Sequence, residues 1–497
     1  VTSLQLTGSG VGGSGALTGA GAARYDGTVS LNDPGPVVLG VADGGYLTLG
    51  GPLSGGVAMS VVKQGLGTLG LRDSAGFGGG TTIAAGTLVA QHASALGGGG
   101  VLVNDGASLL IDSVTLTTGG LTLNGRGVQE GGALQGAGTA AHAGAVTLNT
   151  ASAIGAAAGS TLTLNNPLTG PGGLAKVGSG RLDLTAGSSY AGGTTIEAGT
   201  LVAQHASALG GGGVLVNDGA SLLIDSVTLT TGGLTLNGRG VGGAGALQGT
   251  GTAGHSGPVT IATASAIGAP TLADMLTFDS PVTGPGSLSK VGLGVVELWG
   301  NNSYAGGTTI ESGTLRLLSG ASLSGGGAVS LTGTGIFDLN DTRQSIGNLA
   351  GAIGTQIALG SGGAGGLTVN QTSDGSFAGV IASPLTIDHF SALLATLEVG
   401  RHGAVILRDS DLALVTRHPV IAAQPAGTVG NSDVSRELRD AIVAGAAQGT
   451  IHAQVTADGV ERIFSFRRLS VAPFIAIVGL ATEDYLAAWW EEVRKAM

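Results

Sequence analysis

The sequence predicts a solenoid of stacked parallel β-strands over residues 1–382 and a small α+β module over residues 383–497. Three observations carry this. Thr194 to Val241 repeats Thr81 to Val128 across 48 positions with a single difference, Ala84 against Glu197, and a more diverged third copy opens at Thr308 with TTIESGTLRLLSG. Lys63 in VVKQGLGTLGL, Lys176 in LAKVGSGRLDL and Lys290 in LSKVGLGVVEL keep the same phase, 113 and 114 residues apart. Finally, composition breaks near Ala382: 28 of the 51 charged residues and 90 of the 98 glycines precede residue 383. Self-similarity on this scale means a stacked array in which each unit covers the apolar face of its neighbour.

Within the first 382 residues, runs such as SLQLTG, GTLVAQ, GVLVND, GLTLNG and STLTLNN alternate apolar and polar residues and close on Gly, Asn or Asp. That is strand chemistry punctuated by residues that tolerate positive φ. Runs this short suit a hairpin-built sandwich or a solenoid, and the 113-residue identity favours the solenoid. At ~22 residues per coil the repeat holds about five coils and the segment about 17, a rod of roughly 80 Å at ~4.8 Å per strand.

From Ser383 the pattern changes. TIDHFSALLATLE has helical spacing, GAVILRDSDLALVTRHP reads as strand, turn, strand, and SDVSRELRDAIVAGAAQG as an amphipathic helix ending in Gly. Three strands follow, TIHAQVTADG, VERIFSFRRL and APFIAIVGL, the first two joined by an Asp458-Gly459 turn. TEDYLAAWWEEVRKAM reads as a closing helix with Thr482 as N-cap. Five antiparallel strands with these helices make an α+β module.

Composition excludes several classes. The chain is rich in Gly but 42% hydrophobic, so it folds rather than remaining disordered. There is no G-X-Y period, hence no collagen. A net charge of −11 without basic runs argues against nucleic acid or anionic lipid as partner. No charge-free apolar run reaches the ~18 residues of a membrane-spanning helix. Val1 opens without a charged n-region and apolar core, so any signal peptide lies outside this sequence. The absence of cysteine removes disulfides, thiolate zinc sites and a Cys nucleophile; it fits export of an unfolded chain and equally chance in a low-complexity sequence.

TTIEAGTLVAQHASALGGGGVLVNDGASL, with KVGSGRLDLTAGSSYAGGTT and KVGLGVVELWGNNSYAGGTT upstream of the second and third copies, resembles the passenger-associated repeat of bacterial autotransporters over about residues 60–350. The resemblance implies a right-handed parallel β-helix displayed outside a Gram-negative-type cell, as stalk or adhesin, non-enzymatic, with cell-surface or matrix components or self-association as partners. HGAVILRDSDLALVTRHP, DGVERIFSFRRL and FIAIVGLATEDYLAAWWEE resemble the Cache-type, PAS-like extracytoplasmic sensor domain of bacterial receptors over roughly residues 384–496. That resemblance implies an alternative function, the ligand-sensing region of a histidine kinase or diguanylate cyclase.

Candidate chemistry is sparse. A polysaccharide-active β-helix needs a carboxylate pair, and Asp105, Asp112, Asp218 and Asp225 are two residues copied twice, which reads as turn structure. His92 and His205 are duplicated in QHASALG without a second His at metal-ligand spacing. Gly8, Gly10 and Gly13 match G-x-G-x-x-G without a strand-to-helix context. No cofactor, metal or catalytic residue is assigned. Arg401, Asp409, Arg417 and Arg467 are the candidate ligand-binding residues of the C-terminal module, for a small anion or amino acid, against the reading that they are solvated or paired at the surface. Tyr485, Trp489 and Trp490 suit a membrane interface or packing on the sheet.

Overall fold

The short Leu/Val/Thr runs pair with runs one coil away, and the pairing is parallel. The computed structural model describes residues 3–32, 35–323, 326–373, 375–382, 387–421, 425–454, 459–469 and 473–496. Leu88 stands opposite Leu109, Leu109 opposite Leu134 and Leu134 opposite Ile154, coil steps of 21, 25 and 20 residues. Repeated along the chain this gives a parallel β-solenoid of about 17 turns whose strands form sheets of up to 13 members. Alternate residues of each strand point inward: Leu69, Leu88, Leu109 and Leu134 have no exposed surface and belong to one continuous aliphatic core. Each such Leu removed from water stabilises the stack by about 2 kcal/mol. At the corners backbones pass too closely for side chains. A Cβ on Gly192 would lie 2.5 Å from the Gly173 nitrogen of the preceding coil.

The repeat is not a whole number of coils. The strand that begins at Thr81 stacks on Val101, Leu121, Val146 and Leu168 in turn, and the Leu168 carbonyl next accepts from the Ser189 amide. Five coils therefore return that side of the solenoid to Ser189, whereas the second copy of the strand, Thr194–Ile196, lies on the next sheet, against Leu174. The third copy, Thr308–Ile310, moves on by one sheet again. The expected five coils per repeat are thus about five and a third, and each copy is rotated by one side.

Three signature residues explain why the repeat keeps its phase. Lys63, Lys176 and Lys290 are fully buried. The Lys176 ammonium donates to the carbonyls of Val177 at 3.0 Å, Gly178 at 2.7 Å and, one coil on, Ala198 at 2.9 Å. Lys63 holds Gln64, Gly65 and Ala85, and Lys290 holds Val291, Gly292 and Ser312 in the same way. The glycine two residues after each lysine, with φ of +73° at Gly178, turns its carbonyl onto the ammonium. Burial pushes each of these ammonium groups down to about 8, so they remain charged at neutral pH and bridge coils through main-chain dipoles. The Tyr190 and Tyr304 hydroxyls, also buried, meet the Thr194 and Thr308 hydroxyls at 2.5 and 2.7 Å.

His142 and His255, 113 residues apart, are buried in the same way. His142 stacks between Leu116 and Leu164, and among the described residues neither of its ring nitrogens makes a hydrogen bond of normal geometry. Nδ1 of His255 is likewise without a partner, while its Nε2 lies 3.1 Å from the Thr231 hydroxyl. Desolvation pushes both imidazoles down to about 4, opposed weakly by the Leu116 and Ala145 carbonyls at His142 and by Asp279 at His255.

By contacts the chain forms two compact units, residues 1–359 with 364–382, and residues 383–497 with 360–363. The second unit holds a five-stranded antiparallel sheet in the order Leu414–His418, Ala404–Asp409, Phe474–Ala481, Glu461–Arg468, Gln448–Gln454. Ile406, Phe464, Phe466 and Ile477 pack on one side with Leu438 and Ile442 of helix Arg436–Val443, which Ser435 caps by accepting from the Leu438 amide. Val405 and Leu407 pack on the other side with Leu394 of helix Ile387–Ala395. The last helix, Thr482–Ala496, begins at Thr482 itself. That residue's hydroxyl donates to the Glu461 carbonyl, correcting the expectation that it is the N-cap. Asp458 lies outside the described residues, and Gly459 has the positive φ of a turn, +69°.

Replacing Lys176 by Met leaves the Val177, Gly178 and Ala198 carbonyls buried without their donor. Thermal unfolding of the full chain is expected to show a loss of about 1–3 kcal/mol; an unchanged midpoint would contradict the bridging role. The histidines give a pH dependence of definite sign. The unfolded imidazole takes up a proton below about 6.5 and the folded one only near 4, so their contribution is complete above pH 6.5 and drains away as pH falls towards 4. The loss is on the order of 3 kcal/mol for each. His142→Leu, which continues the leucine column, is expected to flatten the fall in melting temperature between pH 7 and 4.5, and an identical slope would refute this.

Candidate functional site

Because inward positions are taken by aliphatic side chains, any recognition chemistry of the solenoid sits on outward strand positions and corners. The strongest outward interaction recurs once per repeat. Arg126 forms a bidentate pair with Glu197, Nη1 to Oε1 at 3.0 Å and Nη2 to Oε2 at 2.7 Å, and Arg239 pairs with Glu311 at 2.8 Å twice. Each clamp joins residues 71 or 72 apart in sequence, and each carboxylate raises its partner guanidinium further above its ordinary value through hydrogen bonding. The side chains are partly exposed, so each clamp contributes about 1 kcal/mol or less. In the first copy Ser9 stands where Arg126 would be, and Ala84 stands where Glu197 would be. The one difference within the 48-residue block therefore coincides with the missing partner. Arg126 and Glu197 border an open depression of about 750 Å³ with Gly173, Gly193, Thr195 and Leu215 at its floor and sides.

The duplicated carboxylates and histidines form no centre. Asp112 and Asp225 accept from Gln91 and Gln204 of the preceding coil at 2.7 and 2.9 Å. Asp105 and Asp218 sit at corners against Gly125 and Gly238. His92 and His205 turn Nδ1 onto the Ser94 and Ser207 amides at 3.3 and 3.2 Å. Gly8, Gly10 and Gly13 belong to a turn around a short 3-10 segment, Val11–Gly13. Among the described residues no cluster of three metal-ligating side chains occurs, and no helix is long and apolar enough to cross a membrane.

In the C-terminal unit the four candidate ligand-binding residues are dispersed. Arg417, buried, pairs with Ile406 and so faces helix Arg436–Val443. Asp409 and Arg467 pair with Phe474 and Ala476 on the opposite side, where Asp409 braces its own turn by accepting from the Asp411 and Ala413 amides at 2.9 and 2.8 Å. Arg401 lines a separate surface cleft beside His418 and Pro419. The polar centres that do form involve other residues. Arg408 donates to the Leu412, Asn431 and Asp433 carbonyls, and burial pushes it down to about 10. The His402 amide and Nδ1 lie 2.7 and 3.1 Å from Asp484, which they hold below the usual carboxylate range. Trp490 is half exposed, and the side chains of Tyr485 and Trp489 lie outside the described residues.

Comparison with known proteins places the repeat. Residues 61–90, 174–203 and 288–317 match the passenger-associated-transport-repeat, and these segments carry the three buried lysines. The chain is 33% identical over 185 residues to the adhesin BmaC autotransporter of Brucella suis biovar 1 (strain 1330), a match covering 37% of this chain and 5% of that protein. It therefore corresponds to about a twentieth of the curated relative it matches. A crystal structure described as the extracellular domain of a histidine kinase matches 21% of this chain and 40% of its own, at 21% identity and a TM-score of 0.18, a likeness too slight to classify the C-terminal unit. With the lysine-bridged repeat present three times in one parallel stack, the chain is an autotransporter-passenger-like β-solenoid.

Proposed function

We propose that this chain is a non-enzymatic adhesive segment of a secreted passenger, in which the solenoid holds recognition surfaces at fixed spacing outside the cell. Its kinship with autotransporter passengers gives it an extracellular or cell-surface location in a Gram-negative bacterium. The observation that carries the reading is the triple lysine-bridged repeat: its buried ammonium groups are committed to holding coils together, and the outward faces are left free to vary. Of the duplicated acids, Asp112 and Asp225 are engaged in coil-to-coil hydrogen bonds, which supports a structural role over catalysis. Cell-surface or matrix components in general are the partners of this reading. The boundary near residue 382 separates the adhesive solenoid from a module that folds around its own sheet. Sensing of a small molecule by that module gains no support from Arg401, Asp409, Arg417 and Arg467, which do not converge.

The test is adhesion of beads coated with the full chain to host-cell layers and immobilised matrix, together with assay of glycans exposed to the chain for new reducing or unsaturated ends. Saturable adhesion without glycan cleavage is expected. Failure to adhere to every surface, or release of cleaved sugars, would overturn the reading.

A further inference from the structure

In a chain built by duplication, what the copies share maintains the coil, and what one copy alone carries is free for recognition. Setting the three copies against one another leaves a patch in the third. Trp299, one of three tryptophans in the sequence, is 49% exposed, whereas the equivalent positions one and two repeats earlier are Thr185 and Arg72. It follows the strand Val295–Leu298 and lies on the same side of that strand as Glu297, which is itself covered, its Oε2 accepting from the Thr277 hydroxyl at 3.0 Å, so that Arg316 and Asp338 are the members of the row that reach solvent. On the next coil Arg316 stands opposite Glu297, and on the coil after that Asp338 stands opposite Arg316. The first two copies have Val89 and Val202 at the position of Arg316, so although Asp183 stands at the position of Glu297 in the second copy, the guanidinium that joins acids on successive coils belongs to the third copy alone.

The row is fixed before any ligand arrives. Arg316 bridges Glu297 Oε1 at 3.2 Å and Asp338 Oδ2 at 2.8 Å. Asp338 Oδ1 accepts from the Asn340 amide at 3.0 Å, and the Asn340 side chain donates to the Leu317 carbonyl at 3.1 Å. Continuing the register of the strands by two residues sets Asp279 beside Trp299, where Ser256 holds one carboxylate oxygen at 2.8 Å. The result is an aromatic plate on a flat sheet, next to a row of planar polar groups spaced about 4.8 Å apart, the coil-to-coil distance. A rigid indole and braced side chains lose little freedom on binding.

We propose that this face is a binding site for a neutral glycan, an inference that rests on the adhesive reading above and names its ligand class. The apolar C–H face of a pyranose ring stacks on an indole, and vicinal sugar hydroxyls match the two-pronged hydrogen bonding of carboxylate, carboxamide and guanidinium groups. The charge balance selects among glycans. Asp279, Glu297 and Asp338 against Arg316 leave the patch net negative, so sulfated, phosphorylated and sialylated chains are repelled and uncharged ones accepted.

The experiment probes the full chain and its Trp299→Thr variant on an array of neutral, amine-bearing and anionic glycans, with melting temperature measured alongside. Thr185 fills this position in the preceding copy, so the variant is expected to keep its melting temperature and to lose neutral-glycan affinity by roughly tenfold or more. Arg316→Val, after the residue of the sister copies, is expected to weaken the same binding. The site is refuted if wild type selects only anionic or amine-bearing glycans, binds none, or binds equally well with Thr at 299. Adhesion to cells that survives unchanged in Trp299→Thr would refute this site and leave the adhesive reading standing, whereas a wild-type chain that adheres to nothing would end both.

Discussion

No coil of this solenoid can exist alone. A strand of two to six residues has too little apolar surface to offset its ordering entropy, and its backbone groups bond only to the coils above and below. The parallel ladder between coils is therefore the constraint on which everything else depends. It explains why the core is a file of leucines and valines, why glycines occupy corners where one backbone nearly touches the next, and why the buried cations are answered by carbonyls rather than carboxylates. A lysine whose acceptors belong to two successive coils is satisfied only when both are in place. It makes the docking of the following coil a condition for burying the charge.

A repeat of five and a third coils has a consequence for display. Equivalent residues of successive copies look out from successive sides, as the strands beginning at Thr81, Thr194 and Thr308 do. The near-identical sequence of the first two copies therefore does not make one long uniform face. It distributes the same surface around the stack, and a feature confined to one copy, such as the row around Arg316, occupies one side only. The Arg126 and Arg239 clamps follow the same rotation while tying together coils three steps apart.

Much of this was legible in the sequence because repetition and strand alternation are direct signatures of stacked coils. The phase of Lys63, Lys176 and Lys290 marks the element that bridges coils, and KVGSGRLDL and SSYAGGTT mark the segments that match a known repeat. The third of a coil was not legible, since a period in sequence does not say how many residues each corner takes. The clamps were half visible. Ala84 against Glu197 is the sole change in a copied block, and its meaning appears only when Ser9 is set against Arg126, whose pairing with Glu197, 71 residues on, is created by coil geometry. In the C-terminal unit the strands and helices follow their patterns, but Arg401, Asp409, Arg417 and Arg467 do not meet. Alternation along antiparallel strands sends Arg417 to one side and Asp409 and Arg467 to the other. The polar contacts that form instead, around Arg408 and between His402 and Asp484, depend on turns whose geometry the residue pattern does not encode.

The absence of native cysteine allows the stacking to be measured directly. Cysteines placed at Thr122 and Thr147, outward on adjacent coils and in register, are expected to join efficiently through a short bifunctional reagent, whereas cysteines at the repeat-equivalent Thr82 and Thr195 are not, because about five coils, roughly 24 Å of stack, and a change of side separate them. Failure of the first pair to join, or joining of the second within one chain, would contradict a continuous parallel solenoid that turns by one side with each repeat.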